Sequence, residues 1–161
     1  MMRHTVVSVG EVRNRTFREA ASEYLKRLKP YTRMDMKSVS GEKISGDASR
    51  LRDRILEREG DRLLSAAPEG PQVLRVALDE RGKLMTSVGL ARFLSRRANR
   101  GKSHIAWFIG GPLGLSPALL GQSDLRLSLS RLTFPHEMVP VILLEQLYRS
   151  YKIIRREPYH Y

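Results

Sequence analysis

Two periodicities alternate along this chain, and the switches between them outline its elements. Met2–Val9 is an apolar run closing on Gly10 and reads as a strand. From Phe17 to Leu28 the apolar positions Phe17, Ala20, Ala21, Tyr24, Leu25 and Leu28 keep the spacing of one helix face, and Pro30 stops the segment. Met34–Val39 alternates with period two, which predicts a short strand. Ser40–Asp47 is a polar loop. Asp47 is placed to cap a highly charged helix with Leu51, Ile55 and Leu63 on one face, closed by Pro68, Gly70 and Pro71.

The second half repeats the alternation of strand and helix. Val73–Leu78 is a compact apolar strand broken only by Arg75. Ser87 is the expected cap of a helix running through Val88, Leu90, Ala91 and Leu94. Ile105–Ile109 reads as a buried strand that runs straight into Gly110-Gly111-Pro112-Leu113-Gly114. A short helix starts at Pro117–Leu120, and Leu125–Ser130 sets Leu125, Leu127 and Leu129 against Arg126, Ser128 and Ser130. The final helix carries Val141, Ile142, Leu143, Leu144, Leu147, Tyr148 and Tyr151 around most of its circumference, the pattern of a helix buried deeply or shared with a partner subunit. Strands alternating with helices predict an α/β fold, a mostly parallel sheet flanked by helices, in one domain spanning 1–161.

Composition narrows the function. The formal net charge is +12, from 29 Lys and Arg against 17 Asp and Glu. The excess is spread along the chain rather than gathered in a tail, so the whole molecule is drawn to polyanions. The densest patch is Arg92, Arg96, Arg97, Arg100 and Lys102, which fits either a solvated helix end or a phosphate contact. Apolar runs fall well short of the roughly 20 residues that span a bilayer, and the N-terminus lacks a signal-peptide pattern, so a cytoplasmic protein with no membrane partner is expected. The absence of cysteine excludes disulfide scaffolds, thiolate zinc sites and thiolate nucleophiles.

Three segments carry candidate chemistry. The glycine loop at 110–114 follows a buried strand, where backbone approaches a ligand closely or merely turns; its spacing is neither a dinucleotide fingerprint nor a P-loop. Leu129-Ser130-Arg131-Leu132-Thr133-Phe134-Pro135-His136 is a second strand exit, rich in hydroxyls and stopped by proline, with His136 at the start of the next helix. Arg149 and the tail Glu157-Pro158-Tyr159-His160-Tyr161 place two tyrosines and a histidine where chain ends usually fray, which fits either docking or a solvent-facing end. His4 and His104 sit in strands and read as structural. No metal-ligand spacing and no Ser-His-Asp arrangement is present.

In order, Val6-Val7-Ser8-Val9-Gly10, Glu23-Tyr24, Lys43, Leu78-Asp79-Glu80-Arg81-Gly82-Lys83, Phe108-Ile109-Gly110-Gly111-Pro112-Leu113-Gly114-Leu115, the 129–136 segment, Leu144-Glu145-Gln146-Leu147-Tyr148-Arg149 and Pro158-Tyr159-His160 resemble the RlmH family over nearly the full length. These are SPOUT-superfamily methyltransferases that act on a pseudouridine of 23S rRNA. The resemblance implies a C-terminal trefoil knot, an exception to the rule that chains avoid knots. It implies S-adenosyl-L-methionine as cofactor, held by Leu78, Gly110, Gly111, Leu129, Ser130, Arg131, Leu132, Thr133 and Phe134. It also implies a homodimer that packs the last helices together and acts on 23S rRNA within the ribosome. Arg149, Tyr159 and His160 are the implied catalytic side chains, with His136 in support. Pro140 stands where similar members have Arg, and Leu113 stands at a loop position that is more often polar; proline remains compatible with a helix at 140 if it lies in the first turn. The rival readings are a basic, non-enzymatic RNA- or ribosome-binding module and a knotted methyltransferase acting on tRNA.

Overall fold

The computed structural model describes residues 1–161, the side chains of Ala48 and Arg50 apart. Its elements follow in the order β1 (Arg3–Val9), α1 (Arg15–Leu28), β2 (Arg33–Val39), α2 (Ala48–Ala66), β3 (Val73–Leu84), α3 (Ser87–Asn99), β4 (His104–Ile109), α4 (Pro117–Gly121), β5 (Leu125–Ser128) and α5 (Val139–Ile154). Among the described residues the strands form one sheet in the order β2-β1-β4-β3-β5. Every pairing is parallel, so all five strands end at the same edge.

Period-two alternation divides the core between the two faces of this sheet. Val6, Leu74, Val76, Ile105, Trp107, Ile109 and Leu127 meet Leu28 of α1, Leu90 and Leu94 of α3 and Leu143, Leu144 and Leu147 of α5. On the other face, Val7, Val9, Ala77, Ala106 and Phe108 meet Leu63 of α2 and Leu119 of α4. Residues of β1, β3 and β4 are apolar on both faces because helices cover both. β2 is an edge strand and mostly exposed, so its alternation marks a strand without marking a buried face.

A polar chain runs through the larger core. Trp107 is fully buried and its Nε1–H donates to His4 Nδ1 at 3.0 Å. Because Nδ1 accepts, the ring proton sits on Nε2, which donates to the Tyr151 hydroxyl at 2.7 Å. Burial, with a smaller contribution from His104, holds the His4 pKa down at about 3, so the ring is neutral. The chain fastens α5 to β1 and β4. His104 bonds Thr5 Oγ1 at 2.8 Å, and both strand histidines are structural.

Capping sets the element boundaries. Asn14 accepts from Phe17 N, Asp47 from Ser49 N and Ser116 from Leu119 N. The cap of α3 is Thr86, not Ser87: Thr86 Oγ1 takes the Gly89 amide at 3.0 Å, which leaves the Ser87 hydroxyl to donate to Gln146 Oε1 at 2.7 Å. Leu51 departs from expectation at 41% exposure, because α4 and the sheet cover only Ile55, Leu63 and their neighbours further along α2. β3 also outruns its apolar segment. Leu78 and Lys83 both pair with Leu127, so the residues between them bulge out of register and the strand continues to Leu84. β5 stops at Ser128, two residues early, because the Ser128 hydroxyl donates to the Ser130 carbonyl and bends the chain there. Pro140 lies in the first turn of α5, where its missing N–H is not needed, and is buried.

α5 ends in a left-handed turn. Arg156 has φ 56°; its amide donates to the Ile153 carbonyl at 3.0 Å, and the Glu157 amide donates to the Lys152 carbonyl at 2.9 Å. Those two bonds are the pattern of a glycine-type helix stop, with arginine in glycine's place. The turn reverses the chain and sends the tail back along α5.

Candidate active site

The parallel sheet gathers its loops at one edge, and a hollow of about 90 Å³ opens there beyond β3 and β5. Leu78, Leu127, Phe134 and Val139 supply apolar wall, Ser130 and Thr133 supply hydroxyls, and Asp79 and Glu80 stand at the side. Local hydrogen bonds fix the lining. The Leu132 amide donates to Ser130 Oγ at 2.9 Å, turning the chain after β5. Asp79 accepts from Arg126 at 2.8 and 3.1 Å and from the Arg81 amide at 3.2 Å, which pins the β3 bulge to β5. Glu80 is exposed at the rim.

Six of the nine residues expected to hold a cofactor, namely Leu78, Leu129, Ser130, Leu132, Thr133 and Phe134, line this hollow. Arg131 lies within the same segment with its side chain in solvent. Gly110 and Gly111 end the neighbouring strand but are not part of this lining. Their loop closes on itself: Gly111 and Gly114 bridge, and a Cβ on Gly110 would meet the Gly114 carbonyl oxygen at 2.5 Å. Glycine at 110 is therefore demanded by the turn itself. On the far side Gly111 packs toward Val9 and Glu59, whose buried carboxyl is pushed above its ordinary range by burial and accepts from the Glu42 amide at 3.1 Å.

A second hollow of about 140 Å³ shares Leu127, Ser128 and Leu129 with the first and extends to Thr86, Ser87, Ile142 and Gln146. It leads to the tail. Glu145 is the centre of that cluster. Its Oε1 accepts from Arg149 Nη2 at 2.6 Å and Nε at 3.0 Å and from the Tyr159 hydroxyl at 3.1 Å. Its Oε2 accepts from Gln146 Nε2 at 2.7 Å. Since Gln146 Oε1 takes the Ser87 hydroxyl, a continuous run of hydrogen bonds joins Tyr159 and Arg149 to the wall of the second hollow.

The guanidinium of Arg149 also lies 4.8 Å over the Tyr159 ring, and its Nη1 donates to His160 Nδ1 at 3.2 Å. Arginine only donates, so His160 accepts through Nδ1 in this contact. Bonding to Glu145 raises the Arg149 pKa and keeps it a cation. Burial raises the Tyr159 pKa, reinforced by Tyr24 and Glu145, so its phenol stays protonated at neutral pH. Tyr159 packs edge-on against Tyr148 at 4.8 Å. The tail is anchored one step earlier, where Glu157 Oε2 takes the Tyr31 hydroxyl at 2.5 Å and Lys152 Nζ at 2.7 Å.

Arg149, Tyr159 and His160 thus meet, whereas His136 lies exposed in the turn before α5 and is not part of their cluster. Its neighbour Glu137 does the anchoring, accepting from the amides of Arg13 and Asn14 after β1. Glu145, Gln146, Ser87, Asp79 and Glu80 do not stand out as site residues in the sequence. A carboxylate four positions before Arg149 on one helix face is the available signal for Glu145. Among the described residues no group of His, Cys, Asp and Glu could hold a metal ion.

A parallel α/β sheet with a hollow at its strand exits is consistent with a SPOUT methyltransferase, and the family model described as a predicted SPOUT methyltransferase matches residues 2–160. Curated relatives match across their whole length. A ribosomal RNA large subunit methyltransferase H of Symbiobacterium thermophilum is 48% identical over 160 residues, 99% of each chain. Proteins of the same name from Pelotomaculum thermopropionicum and Halothermothrix orenii are 44% and 43% identical, over 100% and 99% of each chain. The chain belongs to the SPOUT methyltransferases and, within them, to the ribosomal RNA large subunit methyltransferase H family.

Proposed function

We propose that this protein transfers a methyl group from S-adenosyl-L-methionine to N3 of a pseudouridine in 23S rRNA, acting on the assembled ribosome. The observation that carries this reading is the full-length similarity to large-subunit rRNA methyltransferases combined with the hollow at the β3 and β5 exits. A net charge of +12 suits an RNA substrate. Domain 1–161 works as a cytoplasmic homodimer packed through its last helices, with a C-terminal trefoil knot. In support of the knot, the segment after β5 crosses from one sheet edge to the loop after β1, where Glu137 is held.

The residues present fit the cofactor. Apolar walls from Leu78, Leu127, Phe134 and Val139 suit a flat base, the hydroxyls of Ser130 and Thr133 suit its polar groups, and the rim carboxylate of Glu80 suits a cation. When bound, S-adenosylmethionine supplies an electrophilic methyl group on a sulfonium. The protein's own work is to hold the acceptor in line at about 3 Å and keep water out. The acceptor nitrogen carries a weakly acidic proton that must leave before the nitrogen attacks. Arg149, a permanent cation, stabilises the anionic ring that results. Tyr159, protonated, stacks on or donates to the target base rather than taking its proton. His160 orders the tail through Arg149 or accepts the proton at Nδ1 once that contact opens. Carbon-5 methylation through a cysteine adduct is excluded, since the chain has no cysteine.

Mass spectrometry of 23S rRNA from a strain lacking the gene tests the reading: one methyl group should disappear from a pseudouridine. Persistence of that methyl, with loss of one from tRNA instead, would favour the tRNA enzyme. Calorimetry with S-adenosylmethionine separates enzyme from binding module, because the module would give no heat of binding.

A further inference from the structure

The densest basic patch takes no part in the hollow or the tail cluster. Lys83 at the end of β3 and Arg96, Arg97 and Arg100 at the end of α3 converge on one groove of about 430 Å³, floored by Leu84 and Met85. Lys83, Arg96 and Arg100 are exposed, and Leu84 is 44% exposed. A helix C-terminus favours one or two cations by its dipole. That does not account for four, because Lys83 arrives from a different element and like charges in one hollow repel.

Elsewhere several arginines lie against a carboxylate. Arg15 meets Glu19, Arg27 meets Glu23, Arg62 meets Glu42, Arg126 meets Asp79 and Arg149 meets Glu145. Among the described residues, none of the four groove cations has an acidic partner. Arg96 reaches only the Arg92 carbonyl at 3.3 Å, and Arg97 lies 5.1 Å over the Phe93 ring. Position adds a second argument. The groove shares Met85 with the hollow under Ser87 and Gln146, which in turn shares Leu127, Ser128 and Leu129 with the methyl-donor hollow. A strand lying in the groove is thereby led toward the chemistry.

We propose that Lys83, Arg96, Arg97 and Arg100 form a binding site for the RNA phosphodiester backbone, a second grip that holds the substrate strand alongside the catalytic hollow. The proposal rests on the RNA-methyltransferase reading and adds to it where the strand is gripped. Phosphates bond the cations, and Leu84 and Met85 offer an apolar floor to a ribose or base.

The test measures affinity of the full-length protein for purified large ribosomal subunits across a salt series. An Arg96→Ala, Arg100→Ala variant should bind about tenfold more weakly, and its slope of log affinity against log salt should fall by about one for each phosphate no longer neutralised. Its affinity for S-adenosylmethionine, read by calorimetry, should be unchanged. An Arg18→Ala, Arg33→Ala variant removes the same charge from exposed positions elsewhere and should change the slope little. An equal drop in both variants, or an unaltered slope in the groove variant, overturns the proposal. Should the double variant fail to fold, Lys83→Ala alone should lower the slope by about one, and an unchanged slope overturns the proposal equally. If the wild type methylates large subunits but the groove variants bind like it, only the groove falls. If groove-dependent binding is seen without methylation, the groove stands and the enzymatic reading falls.

Discussion

At the scale of single residues, two side chains decide behaviour that the rest of the chain only permits. His4 is neutral because burial denies it a proton until about pH 3. The unfolded chain takes that proton near the ordinary imidazole value, so stability is lost as pH falls from about 6.5 toward 3, at about 1.4 kcal/mol per pH unit. Thermal unfolding followed by circular dichroism should show this slope in the wild type, and His4→Phe should flatten it. Glu145 is the second. It fixes Arg149 and Tyr159 at once and hands its other oxygen to Gln146. Glu145→Gln should reduce methylation about a hundredfold by misplacing the tail, while S-adenosylmethionine affinity stays within about twofold of wild type. Comparable losses in both measurements would mean that Glu145 supports the fold of the hollow instead.

At the scale of elements, the end of α5 controls the tail. Arg156 holds a left-handed conformation that costs an ordinary residue about 1 kcal/mol more than glycine. Arg156→Gly should therefore raise stability to denaturant by about that amount and leave methylation intact, whereas deleting Pro158–Tyr161 should abolish methylation with little change in stability. Elements were also where the sequence was most legible. Every strand and helix expected from periodicity is present, because apolar spacing is a direct image of which face is buried. What escaped lies where local hydrogen bonds override that image: Thr86 displaced Ser87 as the cap, and the β3 bulge carried the strand past its apolar residues. The tail cluster was half legible. Arg149, Tyr159 and His160 stood out as unusual near a terminus, yet Glu145 looked like any solvated helix carboxylate until the left-handed turn at Arg156 brought the tail back to it.

At the scale of the molecule, charge and packing divide the labour. α5 buries Leu143, Leu144 and Leu147 against its own sheet and against α1 and α3, so the helix is not wholly reserved for a partner. Val141 and Ile142 stay partly open, and the proposed dimer would cover them, whereas Tyr148 packs against Tyr24, Tyr31 and Tyr159 of its own chain. The melting temperature should then rise with protein concentration, and the protein should sediment at twice the chain mass. A concentration-independent melt at monomer mass would leave the tail cluster and the hollow to be served by one chain alone. The +12 charge is a net excess spread along the whole sequence, and four of its cations converge without a carboxylate in the groove between β3 and α3.

Trp107 is the only tryptophan, and it is sealed in the core with its indole bonded to His4. The His4–Tyr151 contact makes that indole a built-in optical gauge of how α5 is seated. While the helix is docked, emission should lie to the blue, as for an indole shielded from water. Anything that lifts α5 from the sheet should break the hydrogen-bond chain at Tyr151, wet the ring and move the spectrum to the red. The protein therefore carries its own label for watching the last helix engage, with no dye to add and no second tryptophan to confuse the signal.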